Sequence, residues 1–219
     1  YDTGLSETTK QKLNLFEKVK IVETEFSKRS QPTKENKIHG EVWQQNVYSK
    51  ARFLKHCVQN QKDFLPTVMV DVDSIFVQEF FDLIDLTTVA TLCKRSPRGR
   101  DPGHQATSSH IGSFFSINQR TEEVMKFMDT WIANIEKVSD INPAGNYTPK
   151  ESPALSLTYK EFGGEMALSD LPEPIIANIE IFPPLRARIY HLKSDYKNLT
   201  VESRVFQPRA LPYAKRYFL

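Results

Sequence analysis

Two cysteines, Cys57 and Cys93, are all the thiols this sequence has, which excludes a disulfide framework as the basis of the fold. Each sits in an apolar pattern of helical or strand-like period, so both read as buried, reduced side chains. No apolar run approaches the ~20 residues that a membrane span requires, and no stretch has the layout of a secretory leader. An excess of one charge is missing too. The formal net charge is +2, too small for bulk electrostatics to favour nucleic acid or a membrane surface. There is no internal repeat and no low-complexity tract. Asn146-Tyr147-Thr148 and Asn198-Leu199-Thr200 match the glycosylation acceptor pattern. A chain with this much Asn, Ser and Thr matches it about once or twice by chance, so neither decides anything.

What is present fits one globular domain spanning 1–219. With 39% hydrophobic and 26% charged residues among 219, the chain can bury a real core. It is long for one domain by the ~100–200 residue expectation, and short for two. The opening Tyr1-Asp2-Thr3-Gly4-Leu5-Ser6 reads as the end of a strand running into a turn, with Ser6 placed to cap a helix. The strand itself is expected upstream of Tyr1.

From Ser6 to about Lys18 the period is helical, with Leu13, Phe16 and Val19 on one face. Val19 to Val22 is a short strand candidate, and 27–40 is a polar, Pro/Gly-punctuated loop. Residues 41–58 return to a helical period through Val42, Val47, Ala51, Phe53, Leu54 and Cys57. Further on, the pattern predicts a short helix near 77–84 and a strand near 88–93. Residues 94–109 are basic, then Pro/Gly-rich and almost without apolar residues, the kind of long loop that is usually functional. A strand over 111–117, a helix over 121–138 and a loop over 141–149 follow. A helix over 151–162 and strands near 165–168, 174–177 and 187–191 complete the order. Alternating strands and helices predict an α/β fold with a central, mainly parallel mixed sheet flanked by helices.

The segment richest in chemistry is Thr67-Val68-Met69-Val70-Asp71-Val72-Asp73-Ser74-Ile75-Phe76. A short β-branched apolar run reads as a buried strand, and it ends in two carboxylates separated by one residue. Bare carboxylates at a strand end are costly to leave unpaired, and a hard divalent cation is the usual way to offset that cost. A metal held by an aspartate pair at the mouth of an α/β sheet points to phosphate chemistry. The bland reading is that Asp71 and Asp73 merely cap a following turn.

With these elements in order, the chain resembles the GT-A glycosyltransferases, the metal-dependent nucleotide-sugar transferases with a DxD motif. Its pattern is most similar to the galactosyltransferase and glycogenin type. Asp71-Val72-Asp73 stands as the DxD. His110-Ile111-Gly112, followed by Ser113-Phe114-Phe115-Ser116-Ile117-Asn118, resembles the N-x-G strand beside the donor sugar, with His110 in place of Asn. Glu151-Ser152-Pro153-Ala154-Leu155 resembles the D-Q-x-x-L helix start, keeping the carboxylate but not the amide. Ile189-Tyr190-His191-Leu192-Lys193-Ser194-Asp195-Tyr196-Lys197 resembles the H-x-x-G-x-x-K segment, with Ser194 where glycine is usual.

The resemblance implies a UDP-sugar donor, a carbohydrate, protein or lipid acceptor, and Mn²⁺ with Mg²⁺ as the alternative. Asp71, Asp73 and His191 are the implied metal ligands. Lys197 and Lys193 are implied on the diphosphate, and Lys50, His110, Gly112 and Asp2 elsewhere around the donor. Glu151 is implied as a hydrogen-bonding group or general base, with Asp73 beside it in the catalytic set. Retention of configuration is the implied outcome, and 94–109 is a candidate acceptor-side lid. A cytoplasmic location is expected, with a Golgi-type lumen as the alternative if an anchor preceded Tyr1.

Each residue also has a plainer reading. His191 and His110 read equally as satisfied core histidines, Lys193 and Lys197 as solvated lysines, and Glu151 as a helix N-terminal acid. Arg52 competes with Lys50 for the site, and Asp2 reads equally as a turn former. Two other functions stand beside the transferase. One is a transferase-like binding module without catalysis. The other is an aspartyl-phosphate phosphatase, which also opens with D-x-D after an apolar strand. That scheme wants the motif on the first strand and a later Asp-Asp pair, and this sequence has neither.

Overall fold

Strand β4, His110–Ile117, is buried at all eight positions, so both of its faces are covered. The computed structural model describes residues 7–15, 41–71, 74–76, 78–94, 108–141, 151–163, 168–172, 176–178 and 188–191. Around β4 a four-stranded sheet forms from β1 (Thr67–Val70), β3 (Ala90–Lys94) and β5 (Leu168–Pro172), in the order β1-β4-β3-β5. β4 runs antiparallel to both β1 and β3, while β3 and β5 are parallel. Three strands therefore point one way and β4 runs against them. The sheet is mixed, and only one of its three pairings is parallel, fewer than the alternating pattern suggests.

Three helices cover one face, and each follows from its spacing. α2 (Glu41–Asn60) buries Ala51, Leu54 and Val58. α3 (Glu122–Ile141) buries Val124, Phe127, Met128, Trp131 and Ile135, the i, i+3, i+4, i+7 stripe of a helix facing a core. Its start is fixed by Thr121, whose hydroxyl accepts the Val124 N–H at 3.3 Å, and by Glu122 and Glu123 at the positive end of the helix dipole. α4 (Glu151–Glu161) packs between α3 and β4 with Ala154, Leu155 and Thr158 buried. These helices meet Leu92, Phe115 and Ile117 of the sheet in the larger core, where Trp131 packs edge-on against Phe115.

The opposite face holds a smaller core of Phe80, Ile84, Cys93, Ile111, Phe114, Leu171 and Ile189. Beside it lies a three-stranded sheet of β2 (Ser74–Phe76), β7 (Ile189–His191) and β6 (Ile176–Asn178), in the order β2-β7-β6. β1 alternates between the two cores: Val68 and Val70 face the smaller, Met69 the larger. The next residue in that alternation is Asp71, which falls on the helix side.

Several boundaries differ from the sequence pattern. The helix expected near 77–84 is only a 3₁₀ turn, Phe81–Leu83, ending at an extended Ile84 (ψ 115°). α1 stops at Glu7–Leu13 rather than near Lys18, and β5 begins at Leu168, later than the strand expected near 165–168. Cys93 is buried as expected, but Cys57 is only half-buried, and neither forms a disulfide among the described residues. No described helix is long and apolar enough to cross a membrane. The strand candidate at Val19 to Val22, most of the 94–109 loop and the 142–149 loop lie outside the described residues.

Candidate functional site

Asp71 follows β1 directly, and its N–H donates to the Ser113 carbonyl at 3.0 Å, extending the β1/β4 ladder by one step. A turn closed by Ser74 N–H donating to the Asp71 carbonyl at 3.0 Å then starts β2. β2 pairs with β7 so that Ser74 stands opposite His191. That register carries the end of a distant strand back to the carboxylate. His191 Nε2 lies 3.3 Å from Asp71 Oδ2, although the two are about 120 positions apart in sequence. The imidazole is 11% exposed and the carboxylate 29%, so both are partly shielded yet reachable.

From the helix side, Lys50 of α2 reaches the same place. Its ammonium pairs with Asp71 Oδ1, donates to Glu151 Oε1 at 2.8 Å and to the Gly112 carbonyl at 3.1 Å. All three N–H donors are thereby used. Glu151, the first residue of α4, keeps 14% side-chain exposure and sits tight against Gly112. With both carboxylates ionised, the ammonium leaves the group one negative charge in excess. Burial, reinforced by the Asp71 charge, pushes the Glu151 carboxyl above its ordinary range, and Lys50 only partly opposes this. Burial alone would lower the Lys50 ammonium, but the Glu151 and Asp71 carboxylates outweigh it and hold the pKa above the usual lysine value.

A bulge in β4 shapes the floor of the site. Leu92 of β3 faces Phe115, while the next residue, Cys93, faces Ile111, so 112–114 loop past β3 unpaired. α4 supplies a partner within the bulge and another at the start of the strand. Ser152 Oγ accepts the Gly112 N–H at 3.1 Å, and Ser156 Oγ accepts the His110 N–H at 3.1 Å. Ser152, in the place where the resemblance expects an amide, is thus a strand anchor.

The structure brings Asp71, His191, Lys50, Glu151 and Gly112 together. Arg52, the rival to Lys50, points away and pairs with Glu136 on the exposed side of α2. His110 does not join the group. Its buried ring bonds Asp170 through Nε2 at 2.9 Å and Ser109 through Nδ1 at 3.0 Å, and packs on Tyr159. Tyr159 also donates to Asp170, at 3.1 Å. The position implied on the donor is therefore engaged in a buried polar network of its own. Tyr159 and Asp170 carried no motif in the sequence. Asp73, Asp2, Lys193 and Lys197 lie outside the described residues. Among the described residues no group of three or more His, Cys, Asp or Glu side chains is arranged to hold a metal ion.

Burial would raise the Asp170 carboxyl, but the bond and charge of His110, with Tyr159 and Lys94, outweigh it and hold the carboxyl below its ordinary value. A lowered carboxylate contributes stability above its unfolded pKa and loses it as pH falls through the folded one. Asp170→Asn is expected to cost roughly 1–2 kcal/mol at pH 7, with the difference from wild type closing toward pH 3. Urea titrations at the two pH values check this; a cost independent of pH would mean that the carboxylate charge plays no part.

No family model matches the chain, and no curated protein matches it either. The functional reading therefore rests on the site.

Proposed function

We propose that this chain is the catalytic domain of a metal-dependent glycosyltransferase of the GT-A kind, moving a sugar from a nucleoside-diphosphate donor, a UDP-sugar, to an acceptor hydroxyl. The observation that carries the reading is the meeting of His191 with Asp71. A DxD aspartate and the histidine of a distant H-x5-K segment have no reason in local sequence to converge. They do so at the ends of β1 and β7, beside two further groups, Lys50 and Glu151, that the same resemblance names.

The donor set fits the implied cation. Neighbouring ligands on an octahedral ion with ~2.1 Å bonds stand roughly 3 Å apart, close to the 3.3 Å between Asp71 Oδ2 and His191 Nε2. A carboxylate with an imidazole suits Mn²⁺, with Mg²⁺ as the alternative. Asp71 and His191 would hold it, joined by Asp73 on the sequence pattern. Bound there, such an ion neutralises charge on the departing diphosphate. Lys50 fixes Asp71 and Glu151 relative to each other. Glu151, shielded and with its carboxyl shifted upward, is suited to accept a hydroxyl hydrogen bond or proton. The acceptor is carbohydrate, protein or lipid. Lys193 and Lys197 are assigned to the diphosphate on the sequence pattern alone.

One observation favours a second reading, a transferase-like binding module. Lys50 already supplies Asp71 with a positive partner, which lowers the need for a metal. Calorimetric titration of UDP and a panel of UDP-sugars, with and without Mn²⁺, separates the two. The transferase reading expects Mn²⁺-dependent binding and slow donor hydrolysis; silence with every donor favours the module. His191→Ala is expected to weaken Mn²⁺ binding about 10-fold or more while leaving the melting temperature nearly unchanged. Asp73→Ala is expected to abolish metal-dependent donor binding. Unchanged affinities in both variants would sink the proposal.

A further inference from the structure

Two buried side-chain polar atoms among the described residues have no hydrogen-bond partner, Ser113 Oγ and Trp131 Nε1. Trp131 lies within the larger apolar core. Ser113 does not: it stands directly across the ladder from Asp71, whose N–H it accepts through its carbonyl. Opposed residues of an antiparallel pair present their side chains to the same face, about 4.5–5.5 Å apart at Cβ. The preceding step of that face confirms the direction, since Met69 and its partner Phe115 both meet the helix-side core. Ile111 and Phe114 point into the opposite core, so the bulge turns Gly112 and Ser113 together toward Glu151 and Asp71. Ser113 is only 6% exposed.

A buried hydroxyl without a partner is costly, and native structures rarely keep one without use. Here it adjoins the Lys50, Asp71 and Glu151 group, in which every ammonium hydrogen is already taken. We propose that Ser113 is a donor-recognition residue that hydrogen-bonds a hydroxyl of the transferred sugar. This rests on the glycosyltransferase reading and deepens it. The charges select the ligand group. Asp71 shares the face of the serine and Glu151 lies against its neighbour Gly112, so a phosphate oxygen is repelled there, whereas a neutral sugar hydroxyl can donate to a carboxylate while accepting from Ser113. A ring bearing several hydroxyls matches a site that presents one hydroxyl and carboxylate oxygens side by side.

Ser113→Ala removes only the oxygen, which makes the test clean. Calorimetry with Mn²⁺ uses UDP, UDP-glucose, UDP-galactose and UDP-N-acetylglucosamine as probes, alongside thermal melts. For the UDP-sugar that wild type binds most tightly, the variant is expected to lose about 10-fold in affinity. Its affinity for UDP should stay within about twofold, and its melting temperature should equal or exceed that of wild type. Unchanged UDP-sugar affinity overturns the proposal, as does an equal loss for UDP and UDP-sugar. A lowered melting temperature together with weaker binding of every probe assigns Ser113 a structural role and overturns it as well. Wild type that binds neither UDP nor any UDP-sugar overturns the transferase reading itself, a result distinct from all the others.

Discussion

Lys50→Met is expected to lose roughly 2–4 kcal/mol of folding stability at neutral pH, as removal of one partner from a shielded charge group does. The methionine fills much the same volume, so the loss comes from charge. Asp71 and Glu151 would be left side by side without the ammonium that bridges them. The lower end of the range reflects Asp71, which keeps 29% of its side chain in solvent. The pH dependence has a definite sign. Glu151 already has its carboxyl raised by burial, and Lys50 is among the groups that pull it down. Without Lys50 the upward shift grows. A raised carboxyl stabilises the fold below its unfolded pKa, and that contribution is lost as pH rises through the folded value. The cost of Lys50→Met should therefore be small near pH 4 and reach its full size above neutrality. Urea titrations from pH 4 to 8 in the presence of a chelator measure this. Lys50→Met/Glu151→Gln should recover a large part of the loss. A double variant no more stable than the single one would mean that Lys50 acts through packing alone.

How Lys50 rather than Arg52 enters the site could be read from the helix period. Lys50 is continuous with Leu54 and Val58 at i+4 and i+8, both buried, whereas Arg52 leads to His56 and Asn60, both exposed. The same period made α3 legible, because five large apolar residues recur on one face with a capping threonine before them. Asp71, His191 and Glu151 were legible for a different reason. Their motifs are short, and each sits at the end of an element, so small errors in the boundaries do not move them.

What the sequence hid is long-range. Phe80 and Ile84, four apart, imitate a helical turn in the stretch 77–84. Both instead enter the smaller core, where Phe80 lies against Phe76 and Phe81 and edge-on to Phe114. The bulge after Ile111 has no local marker except Gly112, and its partner Ser152 comes from a helix 40 residues later. His110 shows the same limit. Position and motif placed it beside the donor, but Asp170, which captures its ring, lies 60 residues on and carries no signature. Ser113 had one faint signal, a hydroxyl directly after the glycine of β4.

Gly112→Ala is expected to cost roughly 1–3 kcal/mol, the range typical of overpacking, and to break the contact between Lys50 and Glu151. The reason is crowding rather than backbone conformation, because Gly163 is the only described glycine with a positive φ. A Cβ at position 112 would stand 2.6 Å from Glu151 Cγ, 2.5 Å from its Cδ and nearer still to Oε1. An exposed glutamate would swing aside at little cost. This one is held by Lys50 at 2.8 Å and is largely enclosed, so moving it separates a shielded pair. The two residues should therefore be strongly coupled. In a Glu151→Ala background the three atoms nearest the added methyl are gone, and Gly112→Ala should then cost clearly less than it does beside Glu151. A double-mutant cycle by urea denaturation reads the coupling directly. Additive costs would show that the Glu151 side chain relaxes freely, contrary to the fixed placement that the proposed chemistry requires of it. Under the glycosyltransferase reading the same substitution should depress kcat more than donor affinity, since it displaces the carboxylate that faces the acceptor and leaves Asp71 and His191 in place.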